Sequence, residues 1–124
     1  MTYPEVFSKL TYETATVIFM KKDGAIRIML ATRNLHTVEL EYGFQGKALG
    51  GHDNRCNIKN GNVAIFDIIL GEARSFSINR LVSIEYHGAI TVKEELDNVV
   101  QKYMVFKRNY EATQPMELTM DMLN

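Results

Sequence analysis

Apolar side chains follow two different rhythms along this chain. TATVIFM at 14–20 is dense in β-branched and aromatic residues, and AIRIMLATR follows it after KKDG. The pair predicts a β-hairpin, because Asp23-Gly24 supplies a tight reversal in which glycine takes the positive φ that other residues resist. Past the turn, Ile26, Ile28 and Leu30 alternate with Arg27, Met29 and Ala31, as in a strand buried on one face. TVELEYG at 37–43 predicts another short strand. NVAIFDIIL at 62–70 is an apolar run that predicts a strand buried on both faces, and GEA connects it tightly to RSFSINRLVSIEYHG. A short helix is predicted over 4–10, where Pro4 suits a first helical position.

The rhythm then lengthens. Val92, Leu96, Val99, Tyr103, Phe106 and Tyr110 recur at spacings of 4, 3, 4, 3 and 4, one narrow apolar seam along a helix. Lys93, Glu95, Asp97, Lys102, Lys107 and Arg108 occupy its other face. Thr91 followed by Glu94 fits a capping box, and Pro115 stops the helix before an acidic tail, MELTMDMLN. Such a seam either lies on a sheet or pairs with a second copy. A small barrel offers limited area to a helix of about 20 residues, so these six residues are expected to form a homo-oligomer interface.

Between the two rhythms, GFQGKALGGHDNRCNIKNGN at 43–62 holds five glycines and four asparagines with almost no periodicity. An irregular connection of about 20 residues is more often functional than idle. Lys47, Arg55 and Lys59 outnumber Asp53 there, so the segment is locally positive. Disorder is the alternative, against which Phe44, Leu49 and Ile58 stand as anchors.

The 124 residues fit one domain: a barrel over 14–90 that includes the 43–62 loop, a helix over 91–112 and a tail over 113–124. With 46% apolar and 23% charged residues the composition is that of a soluble globular protein. A net charge of −1 argues against coating long nucleic acid, which needs many phosphates neutralised. It leaves room for a compact anion site built from a few donors. The single cysteine, Cys56, rules out an internal disulfide and suits a reducing, cytoplasmic setting, and no apolar run is long enough for a membrane span.

The pattern KKDG-x-IR, then TRNL, an apolar strand, and R-S-F-x-x-x-R-L resembles the WYL-like, Sm/SH3-type β-barrel family common in phage genomes. The resemblance spans 14–86 and is most specific at Arg74, Phe76, Arg80 and Leu81. The family's Trp-Tyr-Leu is absent; Ala64-Ile65-Phe66 stands on the matching strand. The resemblance implies a mainly β fold: a small SH3/Sm-like antiparallel barrel, here with a long C-terminal α-helix. It also implies a short helical turn at Ser77-Ile78-Asn79 and a non-enzymatic ligand-binding role, often for nucleotides or nucleic acid.

On this reading Arg74 and Arg80 fork onto phosphate while Phe76 stacks a base or packs beneath, and Asn79 lies between them. The plain alternative pairs the arginines with Glu72 or Glu85 on a solvated face. Arg33 and Asn34 close the second strand as turn residues or ligand contacts. In the loop, His52, Arg55, Asn57, Lys59 and Asn60 form a donor-rich cluster near Gly50 and Gly51, whose freed backbone amides suit an anion. Cys56, His52 and His87 lack the spacing of a metal site, and GFQGKALGG only loosely echoes a phosphate loop. No enzyme, metal or cofactor is expected. The expected function is capture of a small anionic nucleotide, in its sharpest form a sponge for a cyclic nucleotide or ADP-ribose-type immune signal. A single-stranded nucleic-acid or transcription-associated module and a structural scaffold are the alternatives.

Overall fold

A computed structural model describes residues 1–43 and 56–113. In chain order they form α1 (Tyr3–Tyr12), β1 (Thr14–Met20), β2 (Ile26–Thr32), α2 (Leu35–Tyr42), β3 (Asn62–Asp67), β4 (Glu72–Ser77), a 3-10 turn (Ile78–Arg80), β5 (Leu81–Tyr86) and α3 (Lys93–Ala112). The strands make one antiparallel sheet in the order β4-β3-β2-β1-β5. The fold is therefore mainly β with a long C-terminal helix, as the strand pattern and terminal seam predict, and the described residues hold three α-helices in all.

The hairpin forms where the sequence places it. Thr14 faces Thr32 at one end and Met20 faces Ile26 at the other. Gly24 takes φ +90°, and the Asp23 carboxylate accepts the Ala25 amide at 2.9 Å, closing the reversal. Asn62 through Asp67 pairs in full with Ser77 through Glu72. β2 and β3 meet only at Ala31–Asp67 and Thr32–Phe66, after which the first half of β2 stands clear of β3. On the far edge β5 pairs with β1 through a bulge at Val82, since Phe19 faces Leu81 while Ile18 faces Ser83. The 3-10 turn lies where the break at 77–79 predicts it.

Both sheet faces are covered. One carries α1, with Val6 and Leu10 on Val17, Phe19, Met29, Ile65 and Phe76. The other carries α2 and α3, with Val38, Leu96 and Tyr103 on Ile18, Ile28, Leu30 and Phe66. Hence β2 departs from the one-faced burial its alternation predicts: Met29 and Ala31 are buried by α1 while Ile28 and Leu30 are buried opposite.

Residues 37–43 are a correction. They lie in α2 or at its end, not in a strand. The Asn34 side chain accepts from the His36 and Thr37 amides and starts the helix, while the Thr37 hydroxyl reaches Ile90 O at 3.1 Å. Val38 and Tyr42, one helical turn apart, then pack on the same core cluster, Val38 buried and Tyr42 partly so. The capping box is a second correction. Val92 is the N-cap of α3 with no side-chain bond, and the acidic first turn, Glu94 and Glu95, faces the positive end of the helix instead.

The seam is a third. Leu96 and Tyr103 are buried on the sheet, Val99 and Tyr110 pack partly against the same core, and Val92 lies ahead of the helix on the surface. Phe106 alone of the six is a helical side chain left largely exposed. The six residues expected to meet a second copy are thus mostly spent inside the chain, because splayed strands give α3 more area than a closed barrel would. Replacing Asn34 with alanine is expected to cost about 1 kcal/mol in urea unfolding. Thr91→Ala, which a capping box would make equally costly, is expected to change stability by less than about 0.5 kcal/mol.

Candidate functional site

The residues singled out from the sequence fall into three places. At one end of the sheet, Asn57 Oδ1 accepts the Lys59 amide at 2.9 Å and the Asn60 amide at 3.4 Å, making a tight turn into β3. The Asn60 carbonyl then accepts from Ser77 Oγ and from Asn79 Nδ2. Asn57, Lys59, Asn60 and Asn79 are therefore brought together, with their amides largely spent on one another. His52 and Arg55, the loop's other donors, lie outside the described residues.

Arg33 and Asn34 serve the fold. Asn34 caps α2, while the Arg33 guanidinium lies 4.2 Å over the Phe7 ring and donates to the Ala64 carbonyl and to Cys56 Sγ. Phe76 is a correction as a base-stacking platform. It is 3% exposed and tilts against Phe19 at 5.7 Å between centroids, so no ligand can reach its face.

Arg74 and Arg80 form the third group. Arg74 bonds Glu72 Oε1 at 2.8 Å and stands 3.8 Å from Asp67 Oδ2. Asp67 is buried and already accepts the Ile69 and Leu70 amides, so a guanidinium beside it offsets the cost of keeping the carboxylate charged. Arg80 Nη1 donates to the Lys21 carbonyl at 3.2 Å. The ion pair with Glu72 is the plain alternative the sequence offered for Arg74, and the two arginines do not converge on one open space.

They do flank one. Where β2 leaves β3, a cavity of about 310 Å³ opens between the first half of β2, the β3–β4 turn and α3. Its cations are Lys21 from the hairpin turn, Arg27 from β2 and Lys107 from α3, set against Asp67 and Glu111. Lys21 has only a 3.8 Å contact with the exposed Asp23. Among the described residues neither Arg27 nor Lys107 has a carboxylate within bonding range. Ile26, Ile69 and Leu70 give the mouth an apolar rim. Arg80 thus holds the corner that carries Lys21, and Arg74 holds the carboxylate in the cavity wall. Sequence reasoning missed these three cations because they come from separate elements. The only available signal was Arg27, a cation set inside an apolar strand.

Tyr103 closes the back of this cavity. Leu30 O accepts the Ile68 amide across the sheet, so Ile28 O, two residues away, points to the same side, where β3 has already left. Tyr103 Oη donates to that carbonyl at 3.0 Å and replaces the missing ladder bond. Burial, assisted by Asp67 and Glu111, pushes its hydroxyl up to about 12. Tyr103→Phe is expected to strand the Ile28 carbonyl and to cost about 1–3 kcal/mol in chemical denaturation.

On the opposite side of Tyr103, His87 Nε2 pairs with Thr16 Oγ1 at 2.8 Å, and His87 Nδ1 lies 4.0 Å from Glu85. Burial is the main cause holding the imidazole below its ordinary value, with Lys102 adding to it and Glu85 and Glu13 opposing. The unfolded histidine therefore takes up its proton first as pH falls below about 6.5. The folded state resists, and stability is lost down to the depressed folded value. Urea titrations between pH 7 and 5 are expected to show a smaller loss of stability in His87→Gln than in the parent chain.

Among the described residues no helix is long and apolar enough to cross a membrane, and no group of His, Cys, Asp and Glu is gathered as for a metal. Searches of curated proteins and of solved structures return no match. The family model WYL_2, described as an Sm-like SH3 beta-barrel fold, matches residues 5–82. That span runs from α1 to the start of β5, so Lys21, Arg27 and Asp67 lie within it while Lys107 and α3 lie beyond. Strand order, the 3-10 turn ahead of β5 and the matched span agree, and the chain belongs to the WYL_2 family of Sm-like SH3 β-barrels.

Proposed function

We propose that the protein is a non-enzymatic binding module that captures a small anionic ligand of mononucleotide size in the cavity beside β2. The observation that carries this reading is the convergence of Lys21, Arg27 and Lys107, from three elements, on one recess in which Arg27 and Lys107 lack a carboxylate partner among the described residues. Cations left uncompensated around a recess attract an anion, and a guanidinium can hold phosphate through paired donors. The volume, about 310 Å³, lies at the lower end for organic ligands and suits one nucleotide rather than a polymer. Ile69 and Leu70 at the rim offer an apolar surface for a base or sugar edge.

In its most specific form the reading is sequestration, in which a nucleotide signal is held without being converted. The near-zero net charge of the chain favours a compact ligand over a strand, whose affinity would draw on many phosphates. Calorimetric titration with linear and cyclic mononucleotides, ADP-ribose and inorganic phosphate tests it. At least one nucleotide is expected to saturate the protein. Arg27→Ala and Lys107→Ala are each expected to weaken it roughly tenfold or more, while Lys59→Ala leaves it unchanged. Absence of binding by every probe, or binding indifferent to both cavity variants, overturns the proposal. A steep salt dependence with a labelled oligonucleotide would favour the single-strand reading instead.

A further inference from the structure

A second cavity, of about 230 Å³, lies between the β1–β5 edge and α3, on the far side of Tyr103 from the first. Strand alternation sets Ser83 and Glu85 on one face of β5, and the bulge at Val82 fixes which residues of β1 they adjoin. Lys102 faces them from α3. Ile18, buried, and Phe106, exposed and tilted against Tyr110 at 5.9 Å, supply apolar walls.

Charge is arranged unusually here. Lys102 and Glu85 line the same small space yet form no ion pair with each other, and among the described residues Lys102 pairs with no carboxylate. His87 Nδ1 lies 4.0 Å from Glu85 Oε1. That imidazole is held by Thr16 in the back wall, and burial favours its neutral form. The cavity therefore presents one ammonium and one carboxylate, apart from each other, above an apolar floor. A guest that satisfies both needs an anion, a cation and an apolar body.

We infer that this cavity is a second ligand site, built for a small zwitterion with an apolar side chain, a free α-amino acid of leucine or phenylalanine type. The carboxylate of the guest meets Lys102 and the Ser83 hydroxyl, its ammonium meets Glu85, and its side chain lies on Ile18 and Phe106. The size suits a small guest: about 230 Å³ lies below the range of larger organic ligands. This site is independent of the anion-binding proposal, since only Tyr103 is common to the two linings.

Amide chemical shifts followed during titration of the full chain test it, with L-leucine and L-phenylalanine as probes. The matched deaminated acids and decarboxylated amines serve as truncated guests. The amino acids are expected to saturate with millimolar affinity, shifting resonances of β5 and α3, and each truncated guest is expected to bind at least tenfold more weakly. Lys102→Ala and Glu85→Gln, both at exposed positions where the fold tolerates change, are each expected to weaken binding at least tenfold. Lys107→Ala, in the other cavity, is expected to leave it intact. If the deaminated acid binds as well as the amino acid, the site reads only an anion and the inference fails. It fails equally if no probe saturates or if both variants bind like the parent.

Discussion

The sheet is held together at its centre by a short seam, Ala31 against Asp67 and Thr32 against Phe66, with Leu30 O accepting the Ile68 amide just beyond at 2.9 Å. Past that point β2 stays with β1 while β3 turns away. A strand leaving its neighbour exposes backbone groups that water or another donor must satisfy. Tyr103 answers one of them at Ile28 O, and this draws α3 across the open side. The separation is thus what seats the terminal helix. It is also what leaves Arg27 and Lys21 facing space rather than a paired strand.

The arginine motif that stands out in the sequence acts one step back from that space. Arg74 compensates Asp67, whose carboxylate is committed to the Ile69 and Leu70 amides and cannot leave its buried position. Arg80 reaches a backbone carbonyl in the hairpin turn. Both are fork-shaped donors meeting oxygen acceptors within the chain, the same chemistry that would bind phosphate. Sequence shows the donor and cannot show which acceptor is nearer. The lysines are the better candidates for an external anion because a long, hydrated ammonium gains little from an exposed internal partner, as the 3.8 Å contact of Lys21 with Asp23 illustrates.

How far the fold was legible follows from the range of the interactions involved. The hairpin at 14–32 depends on one turn and the side chains beside it, and Asp23-Gly24 announces both. α1, with Pro4 in its first turn, is equally local. T-V-E-L-E-Y at 37–42 alternates like a strand, and only Asn34 and the contact of Thr37 with Ile90, far along the chain, decide for a helix. The α3 seam shows an apolar face without naming what covers it, and the answer depended on how far β2 and β3 part. The cation cavity was least legible of all. Lys21, Arg27 and Lys107 are unremarkable in their own neighbourhoods and meet only after that parting.

Tyr103 now appears as more than a core residue. Its ring is a wall of both cavities, and its hydroxyl is fixed to Ile28 O. Energetic coupling between two sites requires an element with two arrangements that each ligand favours differently. A buried aromatic whose only hydroxyl is spent on an otherwise orphaned carbonyl has one strongly preferred arrangement, because rotating away breaks the bond and strands the acceptor. The same bond that helps seat α3 therefore gives the wall shared by the two recesses one preferred position.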